Sequence, residues 1–197
     1  DRVARQVCER LQMGEQVALI SDAGTPAIAD PGHMVVQMAL EQGFTVHPIP
    51  GPSALSASLS VAGLPTQSVL FLGFLPNSGA KRRTFLQSMR YEPHTLLFYE
   101  SPRRLKSCVH DLASILGAAR RVTMLRELTK IHETIRSATL AELAAELPNE
   151  VKGECVLVVE GYQGVKGVDA QAQQLLVELV PRLGKKEAIA VAVKVLR

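Results

Sequence analysis

Residues 16–32 read QVALISDAGTPAIADPG: an apolar run, Val17 to Ile20, that ends at Ser21-Asp22 and passes into a stretch punctuated by Gly24, Pro26, Pro31 and Gly32. A short apolar run closed by turn residues predicts a buried β-strand that delivers a loop. Gly24 lets a backbone or a ligand approach closely, and Pro26 fixes the chain's exit. Asp22 is placed to accept neighbouring N–H groups in an Asx turn, a structural role that stands beside any role in binding.

The same alternation of strand, loop and helix extends outward from this stretch. Upstream, Val3, Val7 and Leu11 form a helical stripe closed by Gly14. Downstream, a helix is predicted over 33–42, a strand over 44–49 broken by Pro50-Gly51-Pro52, and a small-residue helix over 53–62. After Gly63-Leu64-Pro65-Thr66 come predicted strands at 68–74, 94–99, 121–125 and 152–160. Between them lie a basic helix at 79–90 and a helix at 102–116, which carries Pro102 at its start and the stripe Leu105, Val109, Leu112, Leu116. A helix over 139–147 opens on a capping box, Thr139 with Glu142, and stops at Pro148. Such alternation with few hairpin signals predicts an α/β protein. The expected organisation is an α/β domain at 1–66, a second at 67–162, and a linker with a helical tail at 163–197. An α/β domain seldom opens on a helix ahead of its only nucleotide-like loop, so the first domain is expected to lack its first strand.

Composition narrows the class. Of 197 residues, 47% are hydrophobic and 21% charged, which supports a packed core, and no apolar run approaches the roughly 20 residues of a membrane span. The opening DRVARQVCERL is amphipathic without an apolar signal core, so a cytoplasmic protein without membrane partners is expected. Cys8, Cys108 and Cys155 are too scattered for a CxxC pair and read as reduced, buried residues. The net charge of +3 is too small to diagnose nucleic-acid binding by itself.

Several chemistries lack their motifs. There is no phosphate loop, since Gly79-Ala80-Lys81 has neither the leading glycine spacing nor the hydroxyl, and no G-x-G-x-x-G. Gly51-Pro52-Ser53-Ala54-Leu55 approaches a nucleophile elbow, but Leu55 replaces the second glycine and Pro52 has no N–H. The five histidines show no ligand spacing, so no metal is expected. What remains are small-residue loops that follow apolar strands: 21–32, 50–54, and the pair Phe74-Leu75-Pro76 with Tyr99-Glu100-Ser101-Pro102. In open α/β sheets ligands gather at the carboxyl ends of strands, so these loops predict a cleft. Ser53 reads as a cap for the helix that follows it, ahead of a catalytic residue.

Seven motifs occur in order: SDAGTPAIADPG (21–32), PGPSAL (50–55), SVAGLP (60–65), FLGFLP (71–76), FYESPRRL (98–105), RELTKIHET (126–134) and KGECVLVVEG (152–161). Together they resemble the 16S rRNA (cytidine-2′-O)-methyltransferase family of the tetrapyrrole-methylase (class III) superfamily. The resemblance implies two α/β domains with S-adenosylmethionine in the cleft between them, S-adenosylhomocysteine as product, no metal, and a homodimer acting on the decoding region of 16S rRNA in the small ribosomal subunit. It assigns cofactor contacts to Asp22, Ala23, Gly24, Ile28, Ser53, Ala54, Phe74, Leu75, Tyr99, Glu100, Gly153 and Glu154. The family's N-terminal Pro-Ile-Gly-Asn turn and Ala-Glu-Asp-Thr-Arg segment are not among these 197 residues.

Methyl transfer to a ribose hydroxyl is an in-line displacement that needs alignment and gains from a base. Candidates for that base or its electrostatic partner are Asp22, Asp30, Glu100, Glu127, Lys130 and Glu133. Glu127, Lys130 and Glu133 would share one face if their stretch is helical, which is also the spacing of a solvated ion-pair ladder. Lys81, Arg82, Arg83, Arg103 and Arg104 are candidates for RNA phosphates, with an ordinary charged surface as the alternative. A small-molecule tetrapyrrole methylase, or a non-enzymatic nucleotide- or RNA-binding module, would share the fold.

Overall fold

The computed structural model describes residues 2–164 and 170–195. Part of the expected linker, residues 165–169, therefore lies outside the described residues. The chain divides into two compact units, Asp1–Ala57 and Ser58–Arg197.

In the first unit α1 (Arg2–Gln12) packs on α2 (His33–Glu41), burying Ala4, Cys8 and Ala39. The strands expected at 17–20 and 44–49 are not formed: among the described residues neither segment carries a β-ladder. Their apolar side chains are present but bare, Ile20 at 84% and Ile49 at 82% exposure. The reason is physical. A strand is made by backbone N–H and C=O groups that find partners, and apolar content alone does not supply them.

A third helix, α3 (Ala54–Val61), leads into the second unit, which is α/β as the alternation predicts. Its elements are β1 (Val69–Phe74), α4 (Gly79–Ser88), β2 (Thr95–Glu100), α5 (Pro102–Leu116), β3 (Arg121–Arg126), β4 (Thr134–Thr139), α6 (Leu140–Glu146) and β5 (Cys155–Val159). A helical tail follows, α7 (Ala170–Leu183) and α8 (Lys185–Val195), parted at Gly184 where φ is 76°.

The sheet order is β1-β2-β5-β3-β4, with β1 and β2 parallel and the other neighbours antiparallel. The carboxyl ends of β1, β2 and β3 therefore share one edge with the amino ends of β5 and β4. On one face Leu96, Phe98, Leu157 and Val159 meet the α5 stripe, Leu105, Val109, Leu112 and Leu116, at 0–5% exposure. Burying each such side chain contributes about 1.5–3 kcal/mol, so α5 is held by its stripe more than by helix propensity. On the opposite face Thr123 Oγ1 donates to the Ala62 carbonyl at 2.7 Å, tying the chain after α3 to β3. The capping box on α6 is present: Thr139 Oγ1 accepts from Glu142 N, and Glu142 Oε2 accepts from Thr139 N.

The run RELTKIHET, whose charges would share one face only in a helix, forms the turn of a β3–β4 hairpin, with Glu127 at φ 51° and Thr129 at φ 65°. The i, i+3 spacing of its charges imitates a helix, while the backbone twice enters the left-handed region, which is costly for a β-branched threonine.

Candidate functional site

In the first unit two of the small-residue loops lie side by side. Thr25 Oγ1 donates to the Pro52 carbonyl at 3.1 Å, and a Cβ added at Gly24 would stand 3.7 Å from that same oxygen. Asp22, Ala23 and Gly24 are thus brought near Ser53 and Ala54. Gly24 is demanded by its φ of 74° more than by crowding. The turn is closed by Ser21, whose hydroxyl accepts from Ala23 N and donates to Ala23 O, so Asp22 is left exposed. Ala27 and Ala29, at φ 66° and 55°, flank Ile28 in a conformation that costs alanine roughly 1 kcal/mol each. Such strain concentrates where a loop is shaped for a ligand. Ser53 supplies the carbonyl that receives the first helical bond, from Ala57 N, and α3 begins with its amide groups there.

In the second unit the shared edge gathers Phe74 and Leu75, Tyr99 and Glu100, and Gly153 and Glu154. Tyr99 packs edge-on against both Phe71 and Phe74, with ring centroids 5.0 and 5.7 Å away. Phe74 nevertheless keeps 57% of its surface bare. A large exposed ring and the exposed Glu154 on the same edge of the sheet have the apolar and polar character that an adenosine needs, so these residues fit the implied cofactor.

Glu100 is buried, and both of its oxygens are taken: Oε1 by Ser101 N at 2.7 Å and Oε2 by Arg104 Nη2 at 2.8 Å. The same Arg104 nitrogen donates to the Leu75 carbonyl at 2.7 Å, and Nη1 donates to Asn77 Oδ1. Arg104 therefore clamps the end of β1 to the end of β2. It does not face outward toward phosphate. Arg82 is likewise withdrawn: only 5% exposed, it holds Asp111 through Nε and Nη2 at 2.8 and 2.7 Å. Lys81, Arg83 and Arg103 remain on the surface.

Glu127, Lys130 and Glu133 also reach this edge, through the hairpin turn. Lys130 Nζ bridges Glu127 Oε1 and Glu154 Oε2, each at 2.9 Å. Glu154 N donates to the same Glu127 oxygen, and Glu127 N donates to the Glu154 carbonyl. Glu133 Oε2 accepts from Thr129 N at 2.7 Å. A side chain at Gly153 would strike Glu127 at 2.3 Å, so glycine there lets the glutamate cross. The Glu154 N–H first, then the Lys130 ammonium, hold the Glu127 carboxyl below its usual value. A depressed carboxylate contributes fully above its unfolded pKa and loses that contribution as pH falls through the folded one. Protection of the Glu154 amide proton, its exchange relative to the intrinsic rate at each pH, is therefore expected to hold as pH falls through the ordinary carboxylate range and to drop only below it. Protection lost already above that range would show that Glu127 does not hold this amide.

Cys155 sits at the same edge, opposite Glu100 in the β2–β5 register. Burial pushes its thiol up to about 11, so it is protonated at neutral pH and is no nucleophile. Among the described residues no group of three potential metal ligands occurs, and no helix is long and apolar enough to cross a membrane.

Arg126 escaped the sequence reading. Its guanidinium donates to the Lys152 carbonyl and to Thr134 Oγ1, closing the hairpin beside β5. The Glu100 to Arg104 spacing of four residues was the signal for the clamp.

Residues 1–144 match the family model of Tetrapyrrole (Corrin/Porphyrin) Methylases. The chain is 47% identical over 192 residues to Ribosomal RNA small subunit methyltransferase I of Pseudomonas aeruginosa, covering 94% of this chain and 68% of that protein. It is 43% identical over 196 residues to the protein of the same name from Escherichia coli O157:H7, covering 98% and 68%. Among solved structures, that of the methyltransferase CobJ superposes with a TM-score of 0.59 at 18% identity, over 85% of this chain and 73% of that one. This last likeness bears on the fold.

Proposed function

The chain belongs to the tetrapyrrole methylase family, and from that membership we propose that it is an S-adenosylmethionine-dependent methyltransferase that modifies a cytidine ribose 2′-oxygen of small-subunit ribosomal RNA. One observation carries the reading: relatives at 43–47% identity along nearly the whole chain bear the name Ribosomal RNA small subunit methyltransferase I. The family resemblance extends the reading to a cytoplasmic homodimer and to the decoding region of 16S rRNA.

When bound, S-adenosylmethionine supplies an electrophilic methyl group on a sulfonium. The first unit's candidates to hold it are Asp22, Ala23, Gly24, Ile28, Ser53 and Ala54, and the second unit's are Phe74, Leu75, Tyr99, Glu100, Gly153 and Glu154. Phe74 and Tyr99 offer flat apolar surface, and Glu154 offers hydrogen-bond acceptors. Ser53 and Ala54 contribute the start of α3, where backbone N–H groups favour a carboxylate. For the group that takes the ribose proton, the engagement of both Glu100 oxygens argues against that residue. Lys130 is a cation between two carboxylates, which raise its pKa, and so accepts no proton. Glu127 is engaged by Lys130 and the Glu154 N–H, which leaves the carboxylates of Asp22, Asp30 and Glu133 for the role. Lys81, Arg83 and Arg103 are the exposed cations that meet phosphate.

Incubating the protein with methyl-labelled cofactor and small ribosomal subunits, beside naked ribosomal RNA and a precorrin, tests the reading. Label is expected on a cytidine 2′-oxygen of the subunit's RNA. Label on the precorrin only, or on nothing, would overturn it.

A further inference from the structure

Three connectors meet at the end of the sheet opposite the aromatic edge: Arg90-Tyr91 ahead of β2, Arg120 ahead of β3, and Tyr162 after β5. Tyr162 N donates to the Glu92 carbonyl at 2.6 Å, and Arg120 Nη2 donates to the Arg90 carbonyl at 2.8 Å. The Tyr91 and Tyr162 rings meet edge to face, 5.1 Å between centroids. The Arg90 guanidinium lies 5.4 Å over the Tyr91 ring, and that of Arg120 lies 5.4 Å over Tyr162. The Tyr162 hydroxyl donates to Gln173 Oε1 of α7. Beside this cluster is a cavity of about 440 Å³, walled also by Ile115 and Leu116 from the end of α5.

From this geometry we propose a second binding site, for one unpaired RNA nucleotide, with its base against Tyr91 and Tyr162 and its phosphate on Arg90. Charge comes first. Arg82, Arg104 and Arg136 are each neutralised by a carboxylate, whereas among the described residues Arg90 and Arg120 have none within 4.0 Å. Glu160 reaches Arg120 only through its field. Arg120 is 9% exposed, and its Nη1 has no hydrogen-bond partner. Arg120 stands behind the Tyr162 ring and not in the cavity wall, so it supports that ring, while Arg90 is the cation that lines the cavity. Shape comes second. Two tyrosines and the apolar wall suit a planar aromatic group, and the volume falls within the ~300–1,000 Å³ of small-ligand sites. A flat aromatic group joined to an anion is a nucleotide, and stacking with cationic support is how single strands are held.

The placement deepens the RNA reading, on which it rests. From Thr95 to Glu100 the strand runs roughly 17 Å, a distance that a few nucleotides of single strand cover. The site would anchor a neighbouring nucleotide while the target ribose lies at the other edge.

The chain has three tyrosines, Tyr91, Tyr99 and Tyr162, and no tryptophan. In 3-fluorotyrosine-labelled protein, resonances assigned with Tyr→Phe variants report both edges at once. A short unstructured oligocytidine is expected to shift Tyr91 and Tyr162, and S-adenosylmethionine to shift Tyr99 alone. Arg90→Ala is expected to weaken oligocytidine binding about tenfold, read by fluorescence anisotropy, with the Tyr99 resonance unmoved. If the oligomer binds without shifting Tyr91 and Tyr162, the second site is wrong and the RNA reading stands. If only free cytidine monophosphate shifts them and no oligomer binds, the pocket takes free nucleotides and the RNA assignment falls. If neither ligand shifts them and no oligomer binds, both fall.

Discussion

Replacing Arg104 with alanine is expected to destabilise the chain by about 3–5 kcal/mol, the range for removing one partner of a buried ion pair. Glu100, whose side chain is 0% exposed, would keep its bond from Ser101 N but lose the one cation paired with it among the described residues. An unpaired buried carboxylate is the costly species, so the penalty belongs to Glu100 more than to the arginine. Changing both residues at once, Arg104→Met with Glu100→Gln, removes that charge and should recover most of the loss, which a double-mutant cycle in urea measures. A single-variant loss under about 1 kcal/mol would mean that the pair behaves as an exposed one.

The same substitution should reach the cofactor edge. Arg104 also holds the Leu75 carbonyl and Asn77, so its removal frees the segment after β1 that carries Phe74 and Leu75. Cofactor affinity is expected to fall several-fold in the single variant and, in the double variant, to stay well below that of Glu100→Gln alone, although stability returns there. A stability effect alone would restore both together.

How far this edge was legible follows from what a sequence encodes locally. Phe74, Tyr99 and Glu154 each stand beside an apolar run, and such runs announce strand ends. α5 and α6 were legible through Pro102, the leucine stripe and the Thr139 capping box. β4 was hidden because charge spacing in RELTKIHET mimics a helix, and φ values at Glu127 and Thr129 are not written in residue names. The segments 17–20 and 44–49 carry strand composition, but strand formation depends on a neighbour that composition does not specify. Arg82 read as surface charge because Asp111 lies 29 residues away and burial is a tertiary fact. The cluster of Arg90, Tyr91, Arg120 and Tyr162 had no local signature, being drawn from three connectors that only the sheet order brings together.

That sheet order makes one glycine critical. Gly161→Ala is expected to cost roughly 3 kcal/mol, the upper end for overpacking, because the new methyl has nowhere to go. Its carbon would stand 1.9 Å from the Pro93 carbonyl oxygen, 2.4 Å from Pro93 C and 2.8 Å from His94 C, all of them backbone atoms that no rotamer change can move aside. The chain cannot easily slide, since Glu160 N is bonded to the Arg121 carbonyl and Tyr162 N to the Glu92 carbonyl. One of those bonds must stretch, and the Tyr162 bond, between two connectors, is the weaker restraint. Gly63→Ala provides the contrast: at φ 65° with nothing within 4 Å, it should cost only backbone strain of about 1 kcal/mol. Urea unfolding of the two variants separates crowding from conformation. Equal losses would mean that residues 160–162 do not press on 92–94.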